Sequence, residues 1–347
     1  MKEQGIDGVL LSSPINQSYI TGADFNDGYV AVTADRCVAC VDFRYIEAVK
    51  NSVSEGVEAE LAKGSALNCA IDVMLSCGAK TISVEGGELS LSIFKKISER
   101  VGESVTLFEN ADKILVDMRS VKTVDELEKI VSAQSLTDLA FEHILKCMTP
   151  NMTERDVALE LEFFMRKNGA EAMAFDVIAV SGSASALPHG VPRNVKLEKG
   201  FLTMDFGAKV DGYCSDMTRT VVIGKADSEM KRLYNTVLDA QKNALEFLHE
   251  GASCFEADKI ARDIINAAGY EGCFGHSLGH GVGRYIHEAP RLSSKSEDTL
   301  IVGNVVTVEP GIYIEGKYGC RIEDMVAVTE NGTHNFTKSK KELIELF

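Results

Sequence analysis

Basic residues are in short supply. The 347-residue chain carries 36 Lys and Arg against 52 Asp and Glu, a formal net charge of −16. So acidic a surface argues against phosphate-backbone partners, which select clustered Lys and Arg. No apolar run approaches the ~20 residues of a membrane-spanning helix, and the opening Met1-Lys-Glu-Gln-Gly-Ile-Asp-Gly8 has no signal-peptide core. Both absences lead us to expect a soluble, cytoplasmic protein. The nine cysteines are odd in number and scattered, and only Cys37 and Cys40 form a C-x-x-C pair. A zinc site there needs a second pair or histidines at ligand spacing, and neither is nearby. The pair reads instead as two small thiols buried in a strand, in keeping with a reducing compartment. There is no Walker-type phosphate loop, which lowers any nucleotide reading. Low-complexity stretches and short repeats are also missing.

What is present fits an ordinary globular chain, with 45% hydrophobic and 25% charged residues. Its length suggests two domains at about 150 residues each. Short apolar segments at Gly8-Val-Leu-Leu-Ser12, Tyr29-Val-Ala-Val-Thr33, Val38-Ala-Cys-Val-Asp42, Thr81-Ile-Ser-Val-Glu85 and Val105-Thr-Leu-Phe108 read as strands. Helical segments near 44–52, 65–77 and 90–102 lie between them. Residues 1–118 are therefore expected to form an α/β N-terminal domain, and 119–347 a second domain. In the second, Thr123 with Glu126 forms a capping-box pattern before a long helix running to about Cys147. Thr153-Glu-Arg-Asp156 and Ser253 with Glu256 open further helices, expected to stop at Gly169 and Gly269. The order α, α, β, β, α, α, β, β predicts an α+β domain in which helices cover an antiparallel sheet.

Chemistry concentrates in four segments of that domain. Phe201-Leu-Thr-Met-Asp205 through Asp216-Met-Thr-Arg-Thr-Val-Val222 reads as a hairpin turning near Val210 to Gly212. Centred on Val210-Asp211, the turn sets Asp205 opposite Asp216; centred on Asp211-Gly212, it makes them diagonal neighbours. In either register they share a face. Two carboxylates side by side repel each other, and a cation between them removes that cost. Their apolar flanks oppose the alternative that both point to solvent. Gly275-His276-Ser-Leu-Gly-His280-Gly-Val-Gly-Arg-Tyr-Ile-His287 packs three of the seven histidines into one glycine-rich stretch. One histidine is usually a satisfied core residue; three here suggest a metal or acid–base site. Val305-Val-Thr-Val-Glu309-Pro reads as a strand ending in a glutamate. Gly319-Cys-Arg321-Ile-Glu323-Asp324-Met reads as one strand, with Arg321 and Glu323 on one face and Asp324 pointing away as a surface residue. Four carboxylates with imidazole suit two hard or borderline divalent ions, held about 3.5 Å apart with a hydroxide between them.

Together, Met204-Asp205-Phe-Gly-Ala, Ser215-Asp216-Met-Thr-Arg-Thr, Gly275-His276-Ser-Leu-Gly-His280-Gly-Val-Gly, His287-Glu-Ala-Pro, Val308-Glu309-Pro-Gly-Ile-Tyr, Arg321-Ile-Glu323-Asp and Ala186-Leu-Pro-His189-Gly resemble the creatinase/aminopeptidase P/prolidase family of pita-bread metallopeptidases. The resemblance covers nearly the whole chain. It implies a creatinase/prolidase-type N-terminal domain and a pita-bread catalytic domain. It implies that Asp205 and Asp216 bind one metal, that Asp216, His280, Glu309 and Glu323 bind a second, and that Asp216 and Glu323 bridge both. The ions implied are Mn²⁺, or else Co²⁺ or Zn²⁺. Glu309 would also relay protons to and from the bridging hydroxide. His189 and His287 would stabilise the tetrahedral intermediate, and His276 would line the pocket. Arg321 would orient Glu323 or its neighbours, and Arg291 sits where dipeptide-cleaving relatives bind the substrate carboxylate. Ser277 stands where glycine is usual in the family, and Arg284-Tyr285 where Leu and an acidic residue are frequent.

The activity implied is hydrolysis of the bond before proline at the N-terminus of peptides, as a Xaa-Pro aminopeptidase. A Xaa-Pro dipeptidase (prolidase) is the close alternative. A non-catalytic binding protein on the same fold is opposed by the complete ligand set. The resemblance further implies a homodimer acting on small proline-containing peptides, with no nucleic-acid or membrane partner.

Overall fold

The structure, a computed structural model, describes residue 1 and residues 4–347. Two compact units divide the chain, Met1–Met118 and Arg119–Phe347.

The first unit is built on strands β1 (Gly8–Leu11), β2 (Gly28–Thr33), β3 (Cys37–Val41), β4 (Val57–Leu61), β5 (Thr81–Val84) and β6 (Thr106–Phe108), in the order β4-β3-β2-β1-β5-β6. Its helices are α1 (Pro14–Thr21), α2 (Ile46–Ser52), α3 (Ala66–Ser76) and α4 (Leu91–Val101); α5 (Ala111–Ser120) runs across the division between the units. β1 pairs antiparallel to β2 and parallel to β5, so the sheet is mixed. Cys37 and Cys40 lie on β3, and both are free thiols. The sequence reading missed three elements. β4 is an edge strand whose Glu58 and Glu60 are exposed, so it lacks the apolar run of a central strand. α1, capped by Ser13 and closed at Gly22, buries Asn16, Gln17, Ser18 and Thr21. Gln17 donates to the carbonyls of Leu11 and Gly28. A helix whose buried side is polar carries no apolar period. α5 was likewise not expected.

The second unit opens with α6 (Val124–Cys147) and α7 (Glu154–Lys167), each started by a capping box, from Thr123 with Glu126 and Thr153 with Asp156. Next come β7 (Ala172–Met173), β8 (Ile178–Ser181), β9 (Gly200–Phe206), β10 (Ala208–Val210), β11 (Tyr213–Cys214) and β12 (Met217–Ile223). A second helix pair follows, α8 (Ser228–Phe247) and α9 (Cys254–Ala267), the latter capped by Ser253. The chain ends with β13 (Gly279–Gly281), β14 (Glu288–Leu292), β15 (Val305–Val308), β16 (Gly311–Ile314), β17 (Tyr318–Arg321), β18 (Asp324–Thr329), β19 (Gly332–Asn335) and β20 (Glu345–Leu346). The two larger sheets are β20-β12-β9-β8 and β14-β13-β15-β18-β19, antiparallel except where β20 joins β12.

Alternation along these strands separates core from site. Leu202, Met204 and Phe206 of β9 pack with Leu136, Phe141 and Ile144 of α6 and with Leu161 of α7. Val306 and Val308 of β15 share a core with Leu233 and Val237 of α8 and with Ala261 and Ile265 of α9. The side chains between them on β9 and β12, Thr203, Asp205, Thr218 and Thr220, point the other way and meet Arg321 and Glu323 or the carbonyls beside them.

Two expectations for the last segment need correction. The strand expected from Gly319 onward is broken at Ile322 and Glu323, which lie between β17 and β18. Asp324 is not a surface residue: it is buried, 2.8 Å from Arg219 Nη2 and 2.6 Å from Lys341 Nζ. Arg219, with 1% of its side chain exposed, also donates to the carbonyls of Thr218, Glu323, Ser339 and Lys340. One guanidinium thus neutralises Asp324 and ties the C-terminal segment to the backbone of Glu323. Removing one member of a buried ion pair leaves an uncompensated charge. Arg219→Ala should therefore lower unfolding stability by about 3–5 kcal/mol, read as a reduced urea midpoint; an unchanged midpoint would contradict the packing role.

Candidate active site

The register of the β9–β12 hairpin brings the first two carboxylates together. Asp205 faces Thr218 directly and Lys209 faces Cys214, so the turn centres on Asp211-Gly212 and Asp216 is the diagonal neighbour. Both turn residues have positive φ, 48° and 78°, which fits the asparagine, aspartate and glycine preference of tight hairpin turns. On the other sheet, β13 carries His280 against β15. A Cβ at Gly279 would lie 1.9 Å from the carbonyl oxygen of Thr307, so only glycine permits that approach. Glu309 follows β15 directly, and Glu323 occupies the break between β17 and β18.

All ten residues singled out from the sequence line one cavity of about 580 Å³. At its floor, His280 Nε2 lies 3.3 Å from Glu309 Oε1 and 3.5 Å from Asp216 Oδ2. Asp216, His280 and Glu323 offer ligand atoms within 4.8 Å of one another. His280 Nδ1 donates to the Gly281 carbonyl at 3.1 Å, which leaves Nε2 turned toward the carboxylates. Arg321 donates to Asp205 at 2.6 Å, to Thr218 Oγ1 at 2.9 Å and to Tyr313 at 2.7 Å. It orients Asp205, whereas Glu323 is held by Thr218 Oγ1 at 2.7 Å. His189, His276, His287 and Arg291 stand around this floor on the cavity wall.

Tyr313, Thr218 and Thr307 were missed from sequence. Tyr313 hydroxyl accepts from Arg321 and meets His276 Nε2 at 2.9 Å, while His276 Nδ1 donates to the Ser277 carbonyl. Thr307 Oγ1 accepts from the His280 backbone N–H and donates to Glu309. Thr218 and Thr307 had one sequence signal, their spacing of two residues from Asp216 and Glu309; Tyr313, on β16, which carries none of the ten residues, had no such signal.

Buried charges anchor the loops that carry the histidines. Glu154 accepts from Ser181 N and Oγ and, through its other oxygen, from Arg193 N and Nε, so it clamps both ends of the segment bearing His189. Asp258 accepts from Leu278 N and pairs with Arg262, which donates to the carbonyls of Phe274 and His276. Glu288, beside His287, accepts from Tyr285 N and from Lys122.

The electrostatics of the floor favour a cation. Burial, followed by repulsion from Glu323, Asp205 and Glu309, pushes the Asp216 carboxyl well above its usual range. Burial and then Glu309 and Asp205 do the same to Glu323. Asp205 is raised by burial against the pull of Arg321. Glu309 is the exception: burial acts to raise it, but the hydrogen bond and charge of His280, with His276 and Arg321, hold it at about 2. Asp205 Oδ1 and Glu323 Oε1 are buried without a hydrogen-bond partner. Orphaned buried oxygens of this kind call for an explanation. A carboxylate-rich floor with one imidazole fits divalent cations.

The fold and floor together are those of a two-domain metal-dependent hydrolase. Residues 128–330 match the family model for metallopeptidase family M24, and residues 1–121 match that for the creatinase/prolidase N-terminal domain. The chain belongs to metallopeptidase family M24, and it shares the pita-bread fold of that family's prolidases. It is 39% identical over 346 residues to a Xaa-Pro dipeptidase of Pyrococcus furiosus, covering 99% of this chain and 97% of the relative. A Xaa-Pro dipeptidase structure from Bacillus anthracis superposes with a TM-score of 0.94 at 40% identity, covering 99% of this chain and 96% of that one. An X-Pro aminopeptidase structure from Thermotoga maritima superposes with a TM-score of 0.91 at 35% identity, covering 99% and 98%. No helix among the described residues is long and apolar enough to cross a membrane.

A cation would compete with protons for this floor. Without a cation, Asp216 and Glu323 keep protons in the fold that the unfolded chain has lost above about pH 4. Their contribution is present below that pH and declines as pH rises toward the folded-state values. Glu309 acts oppositely: its contribution is complete above the unfolded value of about 4.5 and is lost as pH falls from there to about 2. Cation binding displaces the retained protons. The rise in Tm produced by added Mn²⁺ should therefore grow between about pH 5 and pH 8; a pH-independent rise would show that the floor holds no such protons.

Proposed function

We propose that this chain is a Xaa-Pro dipeptidase, hydrolysing the bond before a C-terminal proline. The observation that carries this reading is Arg291. It stands on the wall of the cavity whose floor holds the carboxylates, and it has no carboxylate partner among the described residues. A guanidinium so placed suits the terminal carboxylate of a dipeptide, as a charge-assisted and potentially bidentate pair. The dipeptidases of Pyrococcus furiosus and Bacillus anthracis named above support the same reading.

Asp205 and Asp216 would hold one divalent ion, and Asp216, His280, Glu309 and Glu323 a second, with Asp216 and Glu323 shared. Mn²⁺ is our assignment, with Co²⁺ or Zn²⁺ also accepted by such ligands. When bound, the ions would supply Lewis-acid activation of water and of the scissile carbonyl. The chain's own groups do the rest. Glu309 stays ionised and takes a proton from the attacking water at its carboxylate oxygen. His287 is held below its ordinary range by burial, then by His280 and Arg291, so it is neutral and can donate an N–H to the developing oxyanion. His189 shares that wall. His276, also lowered by burial, is fixed by Tyr313 and lines the pocket. Phe175, Val177 and Ile286 provide apolar wall suited to a proline ring, whose nitrogen offers no N–H.

A second reading, Xaa-Pro aminopeptidase, has its own observation. Arg291 also borders an open surface hollow lined by Ser293, Lys295 and Ser296, which leaves room for residues beyond proline. Rates on Mn²⁺-loaded protein separate the two. We expect Ala-Pro to be cleaved and Ala-Pro-Ala to be slow, with Arg291→Ala lowering kcat/KM on Ala-Pro roughly ten- to hundredfold, mostly through KM. Faster cleavage of the tripeptide would decide for the aminopeptidase. His280→Ala and Glu323→Ala should each abolish turnover while circular dichroism stays native-like; wild-type rates in either would overturn the ligand assignment.

A further inference from the structure

Away from the cavity, three potential ligands converge on the first helix pair. His143 and Cys147 stand four residues apart on α6, which places them on one face, and Glu160 projects from α7. His143 Nε2 is their meeting point, 2.6 Å from Glu160 Oε1 and 3.6 Å from Cys147 Sγ. An imidazole nitrogen carries one proton at most, and that proton can serve only one of these neighbours. A divalent cation in its place would be bound by all three. The ring is already oriented, stacked on Phe164 with centroids 4.3 Å apart and planes 18° from parallel.

The spacing suits tetrahedral zinc. With Zn–N near 2.0 Å and Zn–S near 2.3 Å, nitrogen and sulfur lie about 3.5 Å apart, against the 3.6 Å found. The corresponding nitrogen–oxygen separation is about 3.3 Å, so Glu160 must withdraw by a fraction of an ångström. Its side chain, 37% exposed, is free to do so by rotamer adjustment. The three ligand atoms lie within 4.8 Å of one another, and each residue is partly exposed, which leaves water a fourth position. The plain alternative is a histidine–glutamate ion pair with a thiol nearby, and it leaves Cys147 only a long contact to the Ile144 carbonyl at 3.8 Å.

We propose that His143, Cys147 and Glu160 form a second metal site, for Zn²⁺ or a similar borderline ion, that clamps α6 to α7. On binding, the Cys147 S–H and His143 Nε2–H bonds break, both protons pass to solvent (Nδ1 taking one up where the ring was neutral), and thiolate, neutral imidazole and carboxylate each donate an electron pair to the ion. Burial and then Glu160 hold the free thiol above its ordinary range, so affinity should rise with pH.

The test is a Co²⁺ titration of full-length, chelator-treated protein, followed by sulfur-to-cobalt charge-transfer absorption. No cysteine lines the catalytic cavity, so cobalt held there contributes no such band. We expect a band that saturates at the amplitude of one thiolate-bound cobalt per chain, beyond the silent cobalt taken up by the cavity, and is displaced by Zn²⁺. Cys147→Ser should abolish it, and His143→Gln should weaken cobalt affinity at least tenfold. Both variants should keep wild-type peptidase rates once loaded with Mn²⁺. Absence of the band in the wild type, or its persistence in Cys147→Ser, would overturn the proposal. Should Cys147→Ser fail to fold, unchanged cobalt affinity in His143→Gln would do the same.

Discussion

Four carboxylates facing one another in a largely buried space cannot all be ionised without a cation. Asp205, Asp216, Glu309 and Glu323 meet this constraint with one guanidinium and one imidazole, and two of their oxygens find no partner. Much of the second unit follows from that crowding. The floor must sit where two sheets present polar faces, because helices cover the opposite faces with apolar contacts. It must also be rigid, since like charges would otherwise move apart.

Rigidity comes from buried ion pairs whose members also bind backbone groups. Arg219 holds Asp324 and the carbonyl of Glu323; Arg321 holds Asp205; Glu154 and Asp258 grip the loops that carry His189 and His276. Truncating any one of these exposes its partner to the full desolvation penalty. Structural polar groups and reactive ones are therefore close neighbours, and burial alone does not tell them apart. Asp324 and Glu323 are adjacent and both buried, yet one is fully paired and the other keeps a buried oxygen without a partner.

The legible parts of the fold were those with strong local signals. Capping boxes at Thr123 and Thr153 and the N-cap Ser253 marked three helix starts, because a capping side chain bonds within its own turn. Central strands such as β3 and β15 showed as apolar runs. β4 and α1 did not, since an edge strand keeps its glutamates in water and α1 buries amides and hydroxyls. Asp324 was misread because its partner, Arg219, is distant in sequence. The break at Ile322 and Glu323 escaped notice because strand alternation assumes an unbroken pleat.

Residue type and spacing by themselves marked the four candidate carboxylates, the histidine-rich loop and the two-domain layout, because short-range periodicity and turn chemistry act within a few residues. Folding decided the rest. It chose the hairpin register that makes Asp205 and Asp216 diagonal, put Arg321 on Asp205 with Thr218 on Glu323, and recruited Tyr313. These outcomes depend on which strands lie side by side, and strand neighbours are selected by burial of the whole apolar surface rather than by any local pattern.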